Sequence, residues 1–172
     1  MTDFHEIVSS YKNKVFNTCL SMVKDYDDAE DLSQEVFIEV YLKLNKFREE
    51  SSIGTWIYRI AVNKSLQFLR KRKAKKREVI EVEYSDQLSN AIDFDHPGVS
   101  LENKELARVL FHALDTLPEM QRVAFTLHKV EFLSQQEISE IMDKSVSAIE
   151  SLIHRAKANL KTYLTTYYEQ HQ

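Results

Sequence analysis

Ser147, Ala148, Glu150, Ser151, His154 and Arg155 can donate to, accept from or touch the edges of nucleobases, and they crowd one short stretch of the chain. Ser151, His154 and Arg155 fall at i, i+3 and i+4, so a single helical face can present all three. Just upstream, Ser134-Gln135-Gln136-Glu137 has the form of a capping box. It opens a short helix through Ile138, Ile141 and Met142, followed by the turn Asp143-Lys144-Ser145 and a long final helix predicted from about Val146 to Tyr168. Two helices about so short a turn form a helix-turn-helix, whose second helix lays its N-terminal residues against base edges in the major groove. Ile138, Ile141, Met142, Val146, Ile149 and Ile153 are expected to fill the angle between the helices. A plain helical hairpin has the same spacing and stands as the alternative.

A second group sits earlier. Arg59, Asn63, Lys64, Arg70 and Lys71 are interleaved with Thr55, Trp56, Tyr58 and Phe68 on a predicted helix. Cationic and amide groups beside aromatics suit contacts to phosphates and unstacked bases. The plainer alternative makes Trp56 core and the basic run a solvated helix end. Charge is strongly blocked along the chain: residues 51–77 hold nine Lys or Arg and no acid, although the whole chain carries −4. Such a stripe can hold phosphates even in an acidic protein.

The elements that must position these groups read as helices. Two glycines and two prolines leave little material for hairpins or glycine-rich phosphate loops. Residues Phe4 to Val23 repeat apolar side chains at spacings of three and four, which predicts one amphipathic helix. Asp25 to Asp28 offer caps for a second, with Ala29, Leu32, Val36, Phe37, Val40, Tyr41 and Leu44 as its buried stripe. That register leaves Asp28, Asp31, Gln34, Glu35 and Glu39 largely outside. The third helix runs through Trp56, Ile57, Ile60, Ala61, Leu66, Phe68 and Leu69. Residues 78–99 lose helical period, are acidic, and contain His96-Pro97-Gly98, which reads as a flexible linker. Period resumes at Leu101, with Leu106, Val109, Leu110, Ala113 and Leu114 on one helix and Pro118 opening the next. The expected fold is all-α, in two small helical domains: 1–77, a linker 78–100, and 101–172. The lone Cys19 reads as a buried thiol, and one cysteine excludes a disulfide framework. No signal peptide or membrane span is legible at the N-terminus or elsewhere, so the expected location is the cytoplasm.

Three blocks carry a resemblance over nearly the whole chain. Asp28-Ala29-Glu30-Asp31-Leu32-Ser33-Gln34-Glu35-Val36-Phe37, then Thr55-Trp56-Ile57-Tyr58-Arg59-Ile60-Ala61-Val62-Asn63, then Leu117-Pro118-Glu119 ahead of a helix-turn-helix ending His154-Arg155-Ala156-Lys157, resemble the bacterial extracytoplasmic-function sigma factors. The resemblance implies a non-catalytic subunit that directs RNA polymerase to promoters, without a cofactor or metal. It assigns Asp28, Asp31, Gln34 and Glu35 to the polymerase clamp helices. It assigns Ser51, Ser52, Thr55, Trp56, Arg59, Asn63, Lys64, Arg70 and Lys71 to the −10 element, with Asn63 placed to capture an unstacked base. It assigns Ser147, Ala148, Glu150, Ser151, His154, Arg155 and Lys157 to the −35 element. The acidic linker would thread through the polymerase, and an anti-sigma factor is an expected partner. Asp143 stands where many relatives have glycine, and Glu150 and Leu152 where many have cations.

Two rivals are weaker. Asp27-Asp28-Ala29-Glu30-Asp31 resembles the aspartate-rich magnesium motif of isoprenoid synthases, but a second acidic motif and room for a large cavity are missing. The six histidines form no metal pair with a carboxylate. A free-standing helix-turn-helix repressor explains the C-terminal half and leaves the Trp56 helix and basic run unexplained.

Overall fold

The computed structural model describes residues 3–80, 108–110 and 112–170. The chain divides into two compact units, Met1–Ile92 and Asp93–Gln172. Beyond Ile80, the expected linker lies outside the described residues, as do residues 101–107 at the start of the fourth predicted helix.

In the first unit, α1 (Phe4–Val23), α2 (Tyr26–Lys43) and α3 (Ile53–Ile80) pack pairwise on one another, with a single 3₁₀ turn (Leu44–Lys46) after α2. Aspartates start the first two helices. Asp3 accepts from the His5 amide and Asp25 from the Asp28 amide at 2.9 Å, each satisfying a donor that the helix start leaves free. Lys24, in the left-handed region at φ 61°, ends α1 and leads directly into the Asp25 cap. At the start of α3 the Ser52 hydroxyl accepts from the Thr55 amide at 3.1 Å. Gly54 follows, and a Cβ there would stand 2.8 Å from the Tyr11 hydroxyl, so its lack of a side chain lets the α3 start approach α1.

The core is the meeting of three stripes: Ile7, Val15, Cys19, Met22 and Val23 from α1, Ala29, Leu32, Val36 and Val40 from α2, and Ile57, Tyr58, Ile60, Ala61, Val62 and Leu69 from α3. The α2 stripe is narrower than its hydropathy predicts. Tyr41 is 63 % exposed, and Phe37 and Leu44 are only half-buried. Tyr41 instead packs edge-on against Phe4, ring centroids 5.1 Å apart. α3 stays helical to Ile80, three residues past the expected boundary at 77. Cys19 is fully buried, and desolvation pushes its thiol up to about 11, partly opposed by Ser65; such a thiol is structural and unreactive.

The second unit holds helical residues 108–110 and 112–115, then α4 (Glu119–Lys129), α5 (Gln135–Met142) and α6 (Val146–Gln170). Pro118 caps α4 rather than occupying its first turn. The capping box at α5 is present in both directions: the Ser134 hydroxyl accepts from the Glu137 amide at 3.2 Å, and the Glu137 carboxylate accepts from the Ser134 amide at 2.8 Å. Asp143 closes α5 at φ 53°, donating its amide to the Ser139 carbonyl, so an aspartate serves the left-handed turn. Ile138, Ile141, Ile149 and Ile153 fill the angle between α5 and α6 as expected. Val146 does not: it is exposed, at the first residue of α6. Leu110 is likewise exposed.

One residue of this unit conflicts with its own conformation. Phe132 has φ 56° and is 87 % exposed. The turn around it is pinned, with Glu131 donating to the Thr126 carbonyl, Leu133 donating to the Leu127 carbonyl at 3.0 Å, and the His128 ring bonded to the Leu133 carbonyl at 3.0 Å. Phe132 therefore cannot relax without breaking that network. Phe132→Gly should stabilise the second unit by about 1 kcal/mol, since only a side-chain-free residue adopts this backbone without cost. Thermal unfolding should show the midpoint rising by roughly 4–8 °C; an unchanged or lower midpoint would show that the Phe132 ring contributes contacts.

Candidate nucleic-acid interface

α3 brings Trp56, Arg59 and Asn63 to one helical stripe, at i, i+3 and i+7. With Ile60, Lys64 and Gln67 they wall one side of a recess of about 410 Å³, and Glu39 and Lys43 of α2 form the other. Trp56 is half-buried, its ring 5.0 Å from Phe47, so it is both core and wall. Arg59 and Asn63 are exposed at the mouth. Of the nine residues expected at the −10 element, four therefore meet in one concave site. Glu39, Lys43 and Gln67 were not expected there. The signal for Gln67 was present in sequence as the helical neighbour of Asn63 at i+4, whereas the two α2 residues enter only through tertiary packing.

The remaining expected residues divide. Arg70 and Lys71 are exposed on α3 beyond the recess. Ser51 is half-buried, with its hydroxyl on the Ser52 carbonyl. Thr55 is a correction: it is only 4 % exposed, and its hydroxyl lies 2.9 Å from that of Ser52. The Ser52-Thr55 pair caps α3, which leaves Thr55 no surface for a base. Tyr58, one of the interleaved aromatics, is core.

Lys64 is bound within the protein. Its ammonium lies 3.3 Å from Glu35 and 3.2 Å from Glu39, and Glu39 also accepts from Lys43 at 2.6 Å. Lysine hydrogen bonds, that of Lys43 foremost, hold the Glu39 carboxyl below its ordinary range. Burial works against the Lys64 charge, but the two carboxylates outweigh it and raise the ammonium. Further along, Arg72 reaches Asp28 at 3.6 Å and donates to the Val23 carbonyl at 3.2 Å. Burial and the neighbouring aspartates push Asp28 up even so, with Arg72 opposing.

The acids expected at the polymerase are thus split by α2's helical phase. Asp28 and Glu35 face α3's cations, while Asp31 and Gln34 stand free on the outer face. That outer face continues at i+7 and i+11 from Asp31 into Ile38 and Leu42, with Tyr41 beside them, all three at least 60 % exposed. Sequence patterning missed this extension by assigning Tyr41 to the core.

On α6, Ser145 caps the first turn by accepting from the Ala148 amide at 3.2 Å. Ser147, Glu150, Ser151, His154, Arg155 and Lys157 are exposed, and Ala148 is half-buried. The Ser151 hydroxyl donates to the Ser147 carbonyl at 3.0 Å, and Arg155 Nε donates to the Ser151 carbonyl at 3.2 Å. The Arg155 guanidinium therefore lies back toward the N-terminal end of the helix, where a recognition helix meets base edges.

The model for Sigma-70 region 2 matches residues 7–75, and that for Sigma-70 region 4 matches residues 107–160. The ECF RNA polymerase sigma-E factor of Haemophilus influenzae is 36 % identical over 158 residues, covering 90 % of this chain and 83 % of the relative. That of Escherichia coli K12 is 34 % identical over 161 residues, covering 90 % and 82 %. Among solved structures, the sigma factor RpoE of Bartonella quintana, in complex with the anti-sigma factor NepR, matches with TM-score 0.76 at 21 % identity, covering 96 % of this chain and 98 % of that one. CnrH, in complex with the cytosolic domain of CnrY, matches with TM-score 0.68 at 22 % identity, covering 95 % and 88 %. These structures share the fold, and the sequence relatives carry the assignment. The chain belongs to the extracytoplasmic-function RNA polymerase sigma factors of the sigma-70 family.

Proposed function

We propose that this sigma factor works in the cytoplasm as a non-catalytic specificity subunit, with residues 1–77 binding core polymerase and the −10 element, 78–100 acting as a flexible linker, and 101–172 reading the −35 element. The observation that supports it best is the α2–α3 recess, where the Trp56 indole, the Asn63 and Gln67 amides, three cations and the Glu39 carboxylate line a space of about 410 Å³. Free-standing repressors bind closed duplex and have no use for such a recess. Run-off transcription with core polymerase separates the two readings, because a sigma factor starts transcription and a repressor does not. The anti-sigma factor NepR bound to the RpoE structure supports an anti-sigma partner here as well.

Asp31 and Gln34, with the apolar extension at Ile38, Tyr41 and Leu42, form the polymerase-facing side of α2. Asp28 and Glu35 contribute from its edge. Asp31→Ala with Gln34→Ala should weaken core binding in a competition assay while leaving helicity unchanged. Unchanged affinity would move the polymerase surface elsewhere.

In the recess, Asn63 hydrogen-bonds the extruded base, Trp56 offers an aromatic edge, and Arg59, Arg70 and Lys71 hold the backbone. Ser51 and Ser52 border the site, and Thr55 acts through the cap. Asn63→Ala should slow open-complex formation more than it weakens the closed complex, since a captured base counts only after unstacking. Permanganate footprinting beside filter binding reads the two steps; a loss confined to the closed complex would sink the assignment.

On α6, Ser147, Ala148, Glu150, Ser151 and His154 face the base edges, with Arg155 and Lys157 as the nearby cations. Arg155→Ala should cost the holoenzyme about 1–3 kcal/mol and relax preference at one −35 position if the guanidinium pairs bidentately with guanine. An equal loss on every −35 sequence would make Arg155 a phosphate anchor instead.

A further inference from the structure

Lys64, like Arg72, is spent on its own protein. Arg59, Arg70 and Lys71 project to solvent, but Lys64, its side chain 22 % exposed, turns its ammonium across the helix interface to Glu35 and Glu39. Two features make that arrangement exchangeable. Glu35 is 59 % exposed beside Asp31 and Gln34, so a partner's cation can take it without disturbing the core. Glu39 already has Lys43 at 2.6 Å, so it stays neutralised if Lys64 leaves. Solvent-accessible ion pairs of this kind are weak, and a lysine's flexible stem lets its charge move without moving the helix. Lys64 also lines the recess next to Asn63, so a rotation away from α2 keeps the ammonium within reach of a strand captured there.

We infer that Lys64 couples polymerase engagement to DNA binding: α2 carboxylates hold its charge in the free chain, and it passes to DNA phosphate when polymerase takes Glu35. The inference rests on the reading of α2 as the polymerase surface. It explains why the acidic and basic helices of one domain are paired through the very side chains that two different ligands would use. In the free chain the α2 acids suppress DNA binding, and in the holoenzyme they no longer do.

The test is the salt dependence of binding to a labelled promoter duplex, measured for the full chain alone and for reconstituted holoenzyme. Each phosphate neutralised contributes about one to the slope of log affinity against log salt concentration. Lys64→Met should lower the holoenzyme slope by about one, and change the slope of the free chain far less. Glu35→Gln with Glu39→Gln should raise the affinity of the free chain several-fold and steepen its slope by about one, by releasing Lys64. Asp27→Asn with Glu30→Gln removes as much charge from exposed α2 positions and should leave the slope alone. Lys64→Arg keeps the cation and should retain the native pattern, which separates charge transfer from damage to the fold. Equal slope losses for Lys64→Met in both states would make Lys64 a permanent DNA contact, and no loss in either would make it a structural ion pair; both overturn the coupling. A steepened free-chain slope together with undiminished core affinity of Glu35→Gln would show masking without polymerase as its trigger. That outcome overturns the coupling and the Glu35 polymerase contact but leaves the recess untouched.

Discussion

Everything in the first unit depends on holding α3 against α2. Residues 51–77 carry nine cations with no acid among them, and like charges one turn apart destabilise a helix. The apolar stripe from Ile57 to Leu69 offsets that repulsion by burial, since removing a side chain of this size from water is worth about 1.5–3 kcal/mol. The α2 acids do the rest locally, drawing Lys64 and Arg72 inward and leaving Arg59, Arg70 and Lys71 to face solvent. Core and interface are therefore one design. The phase that buries Ile57, Ile60 and Ala61 also sets Trp56, Asn63 and Gln67 along the recess.

The second unit meets a different constraint, because its functional helix must start from a tight turn. The Ser134-Glu137 box fixes where α5 begins, Asp143 in the left-handed region fixes where it ends, and Ser145 caps α6. The isoleucines at 138, 141, 149 and 153 then lock the angle. Only after those local choices agree does α6 have a defined outward face. Here the sequence was nearly sufficient, since caps, turn and apolar period act within a few residues of one another.

What sequence could not reveal followed from packing at a distance. The helices of the first unit were legible because α1–α3 each carry their own period and the aspartate caps act locally. Exposure was harder to read: Tyr41 and Val146 are apolar and periodic, yet both stand exposed in the terminal turns of their helices. Thr55 looked like a surface hydroxyl, but its role is set by Ser52, whose cap turns it inward. The pairing of Lys64 with Glu35 and Glu39 joins residues 29 and 25 positions apart, and no local pattern announces it. Asn63 and Trp56, by contrast, lie on a helix whose period is local, and their i, i+7 spacing brings both to the recess.

The distribution of charge bears on why the two units share a chain. The outward face of α6 offers Arg155 and Lys157 but also Glu150, so its net pull on phosphate is small. The α3 surface is stronger, yet part of it is neutralised by α2. In the proposed function, neither unit is an independent high-affinity DNA binder. A covalent tether changes the arithmetic: once one unit is engaged, the other searches at an effective concentration set by the connecting chain, and two weak sites act as one selective one. Weakness in each site is then useful. In the proposed function it makes stable binding depend on both promoter elements being present at once, and on the polymerase that holds the first unit.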